Sequence, residues 1–414
     1  MKIRITAFLV VCFVGACQVP TPQSNNTAGS NSASTANSAK TDAPKTTVPT
    51  DLQALATKLV TQSAGVKEGE VVLVSGGIRD LELLENIVTE VRKVGGDPLL
   101  SINSERMQKK SYTDVPEKYD TREDKLGLAL ARVANVTINI DSAETEGLLA
   151  DIPPARLAAR AKAGEPVGAA FREHKVRNVD VGNGLYPTEW RAKRYEMPLD
   201  AFTKLFWEGV NIDYTSLQAQ GEKARAALAG KEIEITHPNG TNLKVAIEAK
   251  PAYISDGIIS ADDMAKGNFN VFLPAGEAAV VTAPNSGTGK FVVEREYFNG
   301  KEIRNLTFTF ENGKLTSITG EGEGFAKYKE SYDARGEGKD LLGYVDIGIN
   351  PNYSLAPSSK YGNWISAGMV SVGTGNNTWA GGANQTGFGT EAHLAGATVK
   401  IDGKTIVENG VLKL

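Results

Sequence analysis

The chain is poor in the residues that build disulfides and metal clusters. It has 414 residues but two cysteines, Cys12 and Cys17, and three histidines, His174, His237 and His393. So few cysteines exclude a disulfide scaffold and thiolate metal sites in the region beyond residue 17. Three dispersed histidines give no confident Ser-His-Asp set. Aromatic-studded runs of Lys and Arg are also missing, and the formal net charge is −4, which argues against nucleic acid as a partner. No apolar run after residue 17 is long enough to cross a bilayer.

The one marked apolar run lies at the start. "MKIRITAFLVVCFVGACQVP" has Lys2 and Arg4, an apolar stretch from Ile5 to Ala16, then Cys17. The run suits a secretory signal rather than a spanning helix. Val14, Gly15 and Ala16 ahead of Cys17 resemble the bacterial lipobox. That resemblance implies cleavage after residue 16 and acylation of Cys17, including by palmitate, leaving the protein lipid-anchored in the cell envelope. The outer membrane or cell surface is the expected location rather than the inner membrane. Loss of Lys2 and Arg4 would take the charge to −6.

Residues 18–50 contain no Leu, Ile, Met or aromatic residue, so they cannot bury enough apolar surface to offset chain entropy. The pattern predicts a disordered tether over 17–50, reaching roughly 30 Å as a flexible coil.

Beyond that point the texture is globular. "DLQALATKLVTQSAG" has Asp51 as a cap, apolar positions 52, 55, 56, 59 and 60, and Gly65 as a stop, which predicts a helix. Val71–Val74 read as a buried strand, and Leu84, Ile87, Val88, Val91 and Val94 as one helical face. "LLSIN" and "VANVTINI" add further strands, so 51–230 reads as a parallel α/β domain. Gly76-Gly77 lacks the remainder of a phosphate loop and reads as a tight strand-to-helix turn. From 231 to 414 alternating strands with Asn239-Gly240 and Asn312-Gly313 turns predict a mostly antiparallel β domain. His237 beside the first turn reads as structural. Asp262-Asp263 reads as a helix-starting or turn pair, and the Gly/Asn-rich 373–390 as a mobile loop over a cleft, with Trp379 a contact.

Several blocks in order, "LYPTEWRAKRYEMPLDAFTKLFWEGVNIDYTSL" (185–217), "ITHPNGTNLKVAI", "FLPAGEAAVVTAP" (272–284), "LGYVDIGINP" (342–351) and "GNNTWAGGAN" (375–384), resemble the aminopeptidase T and aminopeptidase S family of metallopeptidases. The resemblance covers most of 51–414. It implies a fold carrying two divalent ions, zinc, cobalt or a similar metal, that activate water against the first peptide bond. Carried over position by position, the family's metal glutamates match Glu277 and Tyr344, its first histidine Met369, and its closing His-x-Asp pair His393 and Ala395. Two ligands of five survive. Asp346 and Glu391, each two residues from a matched position on a strand, are stand-in carboxylates. With Glu277 and His393, Asp346 outlines a single site for zinc, cobalt or manganese. Tyr344, Met369 and Ala395 supply no ordinary ligand for such ions. Against these stand plainer readings: Glu277 as a solvated strand-start carboxylate and His393 as a hydrogen-bonded core histidine. The expectation is a lipid-anchored metallo-aminopeptidase relative with weak or absent hydrolysis and no bound metal. The alternative is a non-catalytic lipoprotein that binds a peptide or small molecule.

Overall fold

The structure is a computed structural model and describes residues 50–414. The signal segment, Cys17 and the tether up to residue 49 lie outside the described residues. Asp51 caps the first helix, Leu52–Lys58, by accepting the backbone N–H groups of Gln53 and Ala54 at 3.0 Å. The helix continues as a wider turn over Leu59–Ser63.

Three sheets organise the chain. The first is parallel and five-stranded, in the order Asp97–Asn103, Val71–Gly77, Val136–Ile140, Arg177–Val181, Asn270–Leu273. Leu81–Lys93 packs on the strand that carries Val72 and Val74, which are fully buried, and the first helix packs on Leu81–Lys93. Gly76 permits this packing, because a Cβ there would lie 3.0 Å from Leu84 Cδ2 and 3.1 Å from Ile140 Cβ. The α/β half is as the sequence predicts, whereas Gly76 and Gly77, expected as a strand-to-helix turn, are the last two residues of the strand, and Ile78–Asp80 makes the turn into the helix.

The second sheet is antiparallel and eight-stranded. It runs from Lys314–Glu321 through Lys301–Glu311, Thr288–Phe298, Asn242–Ala246, Glu232–Thr236, Thr398–Ile401 and Lys404–Glu408 to Val411–Leu412. The third sheet has five antiparallel strands, in the order Phe388–Leu394, Val370–Gly375, Leu342–Gly348, Glu277–Val281, Tyr253–Ser255. The β-rich character of the second half is therefore observed too. One strand crosses the line between the two textures: Asn270–Leu273 follows residue 230 in sequence yet completes the parallel sheet beside Arg177–Val181. A single apolar cluster runs through all three sheets, from Leu55 to Val407. Among the described residues no helix is long and apolar enough to cross a membrane.

Candidate functional site

The third sheet gathers the candidate residues. Side chains two apart on a strand share a face, and directly paired residues of neighbouring strands do as well. Tyr253, Ala279, Asp346, Ser371 and His393 are paired in one lateral row across all five strands. Val281, Tyr344, Gly373 and Glu391 form the next row on the same face. Ser255, Glu277 and Gly348 form a row on the other side of the first. Glu277, Tyr344, Asp346, Glu391 and His393 thus share one face although 116 residues separate the first from the last. Asp346 and His393 stand two strands apart, about 10 Å between backbones. Glu277 sits diagonally from Asp346, roughly 7–8 Å away.

Glu277 is held at the start of its strand by an obligatory glycine. Gly276 has φ +122°, and a Cβ there would lie 2.6 Å from Asn350 Cβ. The Asn350 amide donates to Ala275 O at 2.7 Å and Gly209 O at 3.1 Å, and Ile349 N–H donates to Gly276 O. Glu277 is 6 % exposed and Asp346 fully buried, so neither is a solvated surface carboxylate. His393 is half-buried. Its Nδ1 lies 2.8 Å from Ser371 Oγ, and its ring is 5.3 Å from that of Trp364. Ser371, which composition did not single out, is fully buried between Asp346 and His393, which denies it the access a nucleophile needs.

At position 344, matched to a metal glutamate, the structure holds a large phenol. Tyr344 is fully buried, and its ring lies across the strand opposite. A Cβ built on Gly373 would fall 2.0 Å from Tyr344 Cζ. The phenol reaches over that glycine towards the Glu391 carboxylate on the next strand. Burial first, then the nearby carboxylates of Glu391, Asp346 and Glu277, push its pKa well above the ordinary tyrosine value, so it stays a neutral donor. The Trp379 ring meets Tyr344 edge-on at 4.9 Å and Tyr253 edge-on at 5.2 Å. Met369, at the matched histidine position, is 2 % exposed. A Cβ on Gly362 would be 2.9 Å from both Met369 Sδ and His393 Cβ, which places the thioether beside the imidazole. Ala395 is 6 % exposed and offers a methyl group.

The segment that composition marks as a mobile loop is folded down. Thr378–Ala380 forms a short 3-10 turn carrying Trp379. Asn377 pins it: its amide donates to Gly343 O at 3.0 Å and its Oδ1 accepts Asn384 N–H at 2.9 Å. The Asn384 amide donates in turn to Gly375 O at 2.7 Å. Glycine and asparagine mark special backbone angles and side-chain-to-backbone bonds here, not looseness. Of the smaller expectations, Asp263 forms a capping box with Ser260 at the start of Ala261–Ala265. His237 Nδ1 accepts the Asn239 N–H inside its hairpin at 3.2 Å.

The donor set does not fit two divalent ions. The positions 344, 369 and 395 that the resemblance matches to metal ligands present a buried phenol, a buried thioether and a methyl group. Among the described residues, no three or more His, Cys, Asp or Glu side chains are grouped so that they could hold a metal ion. Hard and borderline ions such as zinc and manganese need several oxygen and nitrogen donors converging within about 2.0–2.6 Å.

Comparison with known proteins agrees with the geometry of the fold. A profile of the family described as "Thermophilic metalloprotease (M29)" matches residues 49–334. Among solved structures, wild-type AmpT from Thermus thermophilus superposes with a TM-score of 0.64 at 14 % identity, covering 88 % of this chain and 99 % of that one. A 2,5-dihydroxypyridine dioxygenase from Pseudomonas putida KT2440 superposes with a TM-score of 0.52 at 13 % identity, covering 87 % and 96 %. At these identities the likeness concerns the fold alone. No curated protein matches the sequence.

Proposed function

The chain belongs to the thermophilic metalloprotease family, whose members are divalent-metal hydrolases with aminopeptidase activity, and we propose that it is a lipid-anchored relative in which peptide hydrolysis is weak or absent. One observation carries this reading. The space of a metal-binding carboxylate is taken by Tyr344, a fully buried phenol set among the carboxylates of Glu391, Asp346 and Glu277. Water activation by this chemistry requires an ion held with an open coordination position, and the residues at 344, 369 and 395 provide neither the ligands nor the opening.

The alternative, a binding protein that keeps the cleft, draws support from the same fold. One structural neighbour is a dioxygenase, so this architecture is not tied to hydrolysis. The anchor reading rests on the lipobox-like residues before Cys17, with the membrane as the partner.

Metal analysis of the detergent-extracted mature protein, together with hydrolysis of amino-acid anilides after zinc, cobalt or manganese loading, tests the proposal. Well under one equivalent of metal and little or no cleavage are expected. Near-stoichiometric metal, lost together with activity in His393→Ala, would overturn it.

A further inference from the structure

Beside the carboxylate face lies a cavity of about 180 Å³, lined by His237, Glu294, Ser358, Lys360, His393 and Ala395 among others. Four separate stretches of chain build it, and each is fixed. The His237 backbone N–H donates to Thr241 O at 3.1 Å, closing the hairpin. The Asn239 amide donates to Val292 O at 2.9 Å, which ties that hairpin to the strand bearing Glu294. Ser359 N–H donates to Ala356 O at 2.9 Å and Ser359 Oγ to Tyr361 O at 2.8 Å, setting the turn before Lys360. His393 is held through Ser371.

The lining has both signs of charge. Because His237 Nδ1 accepts the Asn239 N–H, the proton of the neutral ring is on Nε2, and that edge is a donor. Lys360 adds an ammonium and Glu294 a carboxylate, with the Ala395 methyl among them. A cation alone would face Lys360, and an anion alone would face Glu294. A molecule carrying both charges satisfies both. The volume corresponds to about six waters at ~30 Å³ each, the size of a small zwitterion. Larger substituents have an outlet on the side of Ser358 and Lys360, which are exposed.

The geometry points to this cavity as a binding site for a small zwitterion, its ammonium on Glu294 and its carboxylate on Lys360 and His237. The assignment deepens the ligand-binding alternative, rests on that reading for its biological sense, and requires no metal.

Calorimetric titration of the mature full-length protein in detergent, with and without EDTA, tests it with L-alanine as the probe. N-acetyl-L-alanine, lacking the ammonium, and L-alaninamide, lacking the carboxylate, are the controls. Saturable binding of alanine, unchanged by EDTA and at least about tenfold weaker for each blocked form, is expected, since a charge-assisted hydrogen bond contributes on that scale. Glu294→Gln should weaken alanine about tenfold while leaving N-acetylalanine unchanged; Lys360→Ala should do the same with respect to alaninamide. Absence of saturable heat with the folded wild type would overturn the assignment. So would equal binding of alanine and its blocked forms, or binding abolished by EDTA. A protein that proves metal-loaded and hydrolytic, yet binds alanine in EDTA, would refute the functional proposal and leave this site standing.

Discussion

The Tyr344 ring lies where a side chain on Gly373 would have to be: a Cβ at 373 would sit 2.0 Å from Tyr344 Cζ and 2.3 Å from its hydroxyl oxygen. The two residues are directly paired on neighbouring strands. The phenol at 344 and the absence of a side chain at 373 are thus one feature, not two.

Gly373→Ala should therefore destabilise the protein by at least about 1–3 kcal/mol, the usual cost of overpacking. In a Tyr344→Ala background the same substitution should cost much less. Urea melts of the four proteins would give a favourable coupling of about 0.5–3 kcal/mol. Additive losses would show that the ring does not lie over residue 373.

Rebuilding the metal positions is a stricter test of the functional proposal. Tyr344→Glu alone removes the buried ring and adds a carboxylate near Glu391, Asp346 and Glu277, so it should destabilise without recruiting metal. Tyr344→Glu, Met369→His and Ala395→Asp together should raise zinc or cobalt occupancy, read by elemental analysis after dialysis. Ala395→Asp alone should do little. Equal occupancy in the triple variant and the wild type would contradict the assignment of these positions.

Much of this was legible in the sequence, for identifiable reasons. The parallel half follows from continuous apolar runs and capped helices such as Leu52–Lys58, where local physics decides. Glu277, Asp346 and His393 fall on one face because a period of two along each strand, plus the pairing, puts them there. The plug was not legible. That Tyr344 crosses Gly373 to reach Glu391 depends on strand register, which no local pattern encodes. The folded 376–387 turn was missed for a related reason: its order comes from Asn377 and Asn384 bonding to backbone, while its composition matches that of a flexible loop.

Acid–base behaviour gives an independent check on the interior. Burial pushes the Glu296 carboxyl up to about 7, with Glu391 adding to the rise. Its folded pKa is above its unfolded one, so the native state binds more protons between about pH 4.5 and 7. Stability from this group is complete below that window and is lost as pH rises through it. Glu296→Gln should flatten the pH dependence there and stabilise by roughly 1–3 kcal/mol at pH 8. An unchanged slope in thermal melts across the window would refute it.

The anchor has its own test. Replacing Cys17 with Ala should shift the protein from the membrane to the soluble fraction while circular dichroism and melting temperature stay the same. Complete retention of Cys17→Ala in washed membranes would exclude lipidation at this residue.

The strand Asn270–Leu273 finishes the parallel sheet and, four residues later, the chain enters the third sheet at Glu277. A gene cut near codon 230 would therefore not yield two independent products. The upstream piece would end its sheet at Arg177–Val181, exposing a row of unpaired backbone groups next to Val179 and Val181, a template for pairing with other copies. The downstream piece would carry an orphaned strand in front of its candidate face. Anyone seeking a smaller crystallisable or fusion-ready fragment should keep residues 51–414 together, and should expect scission between the halves to give aggregates rather than domains.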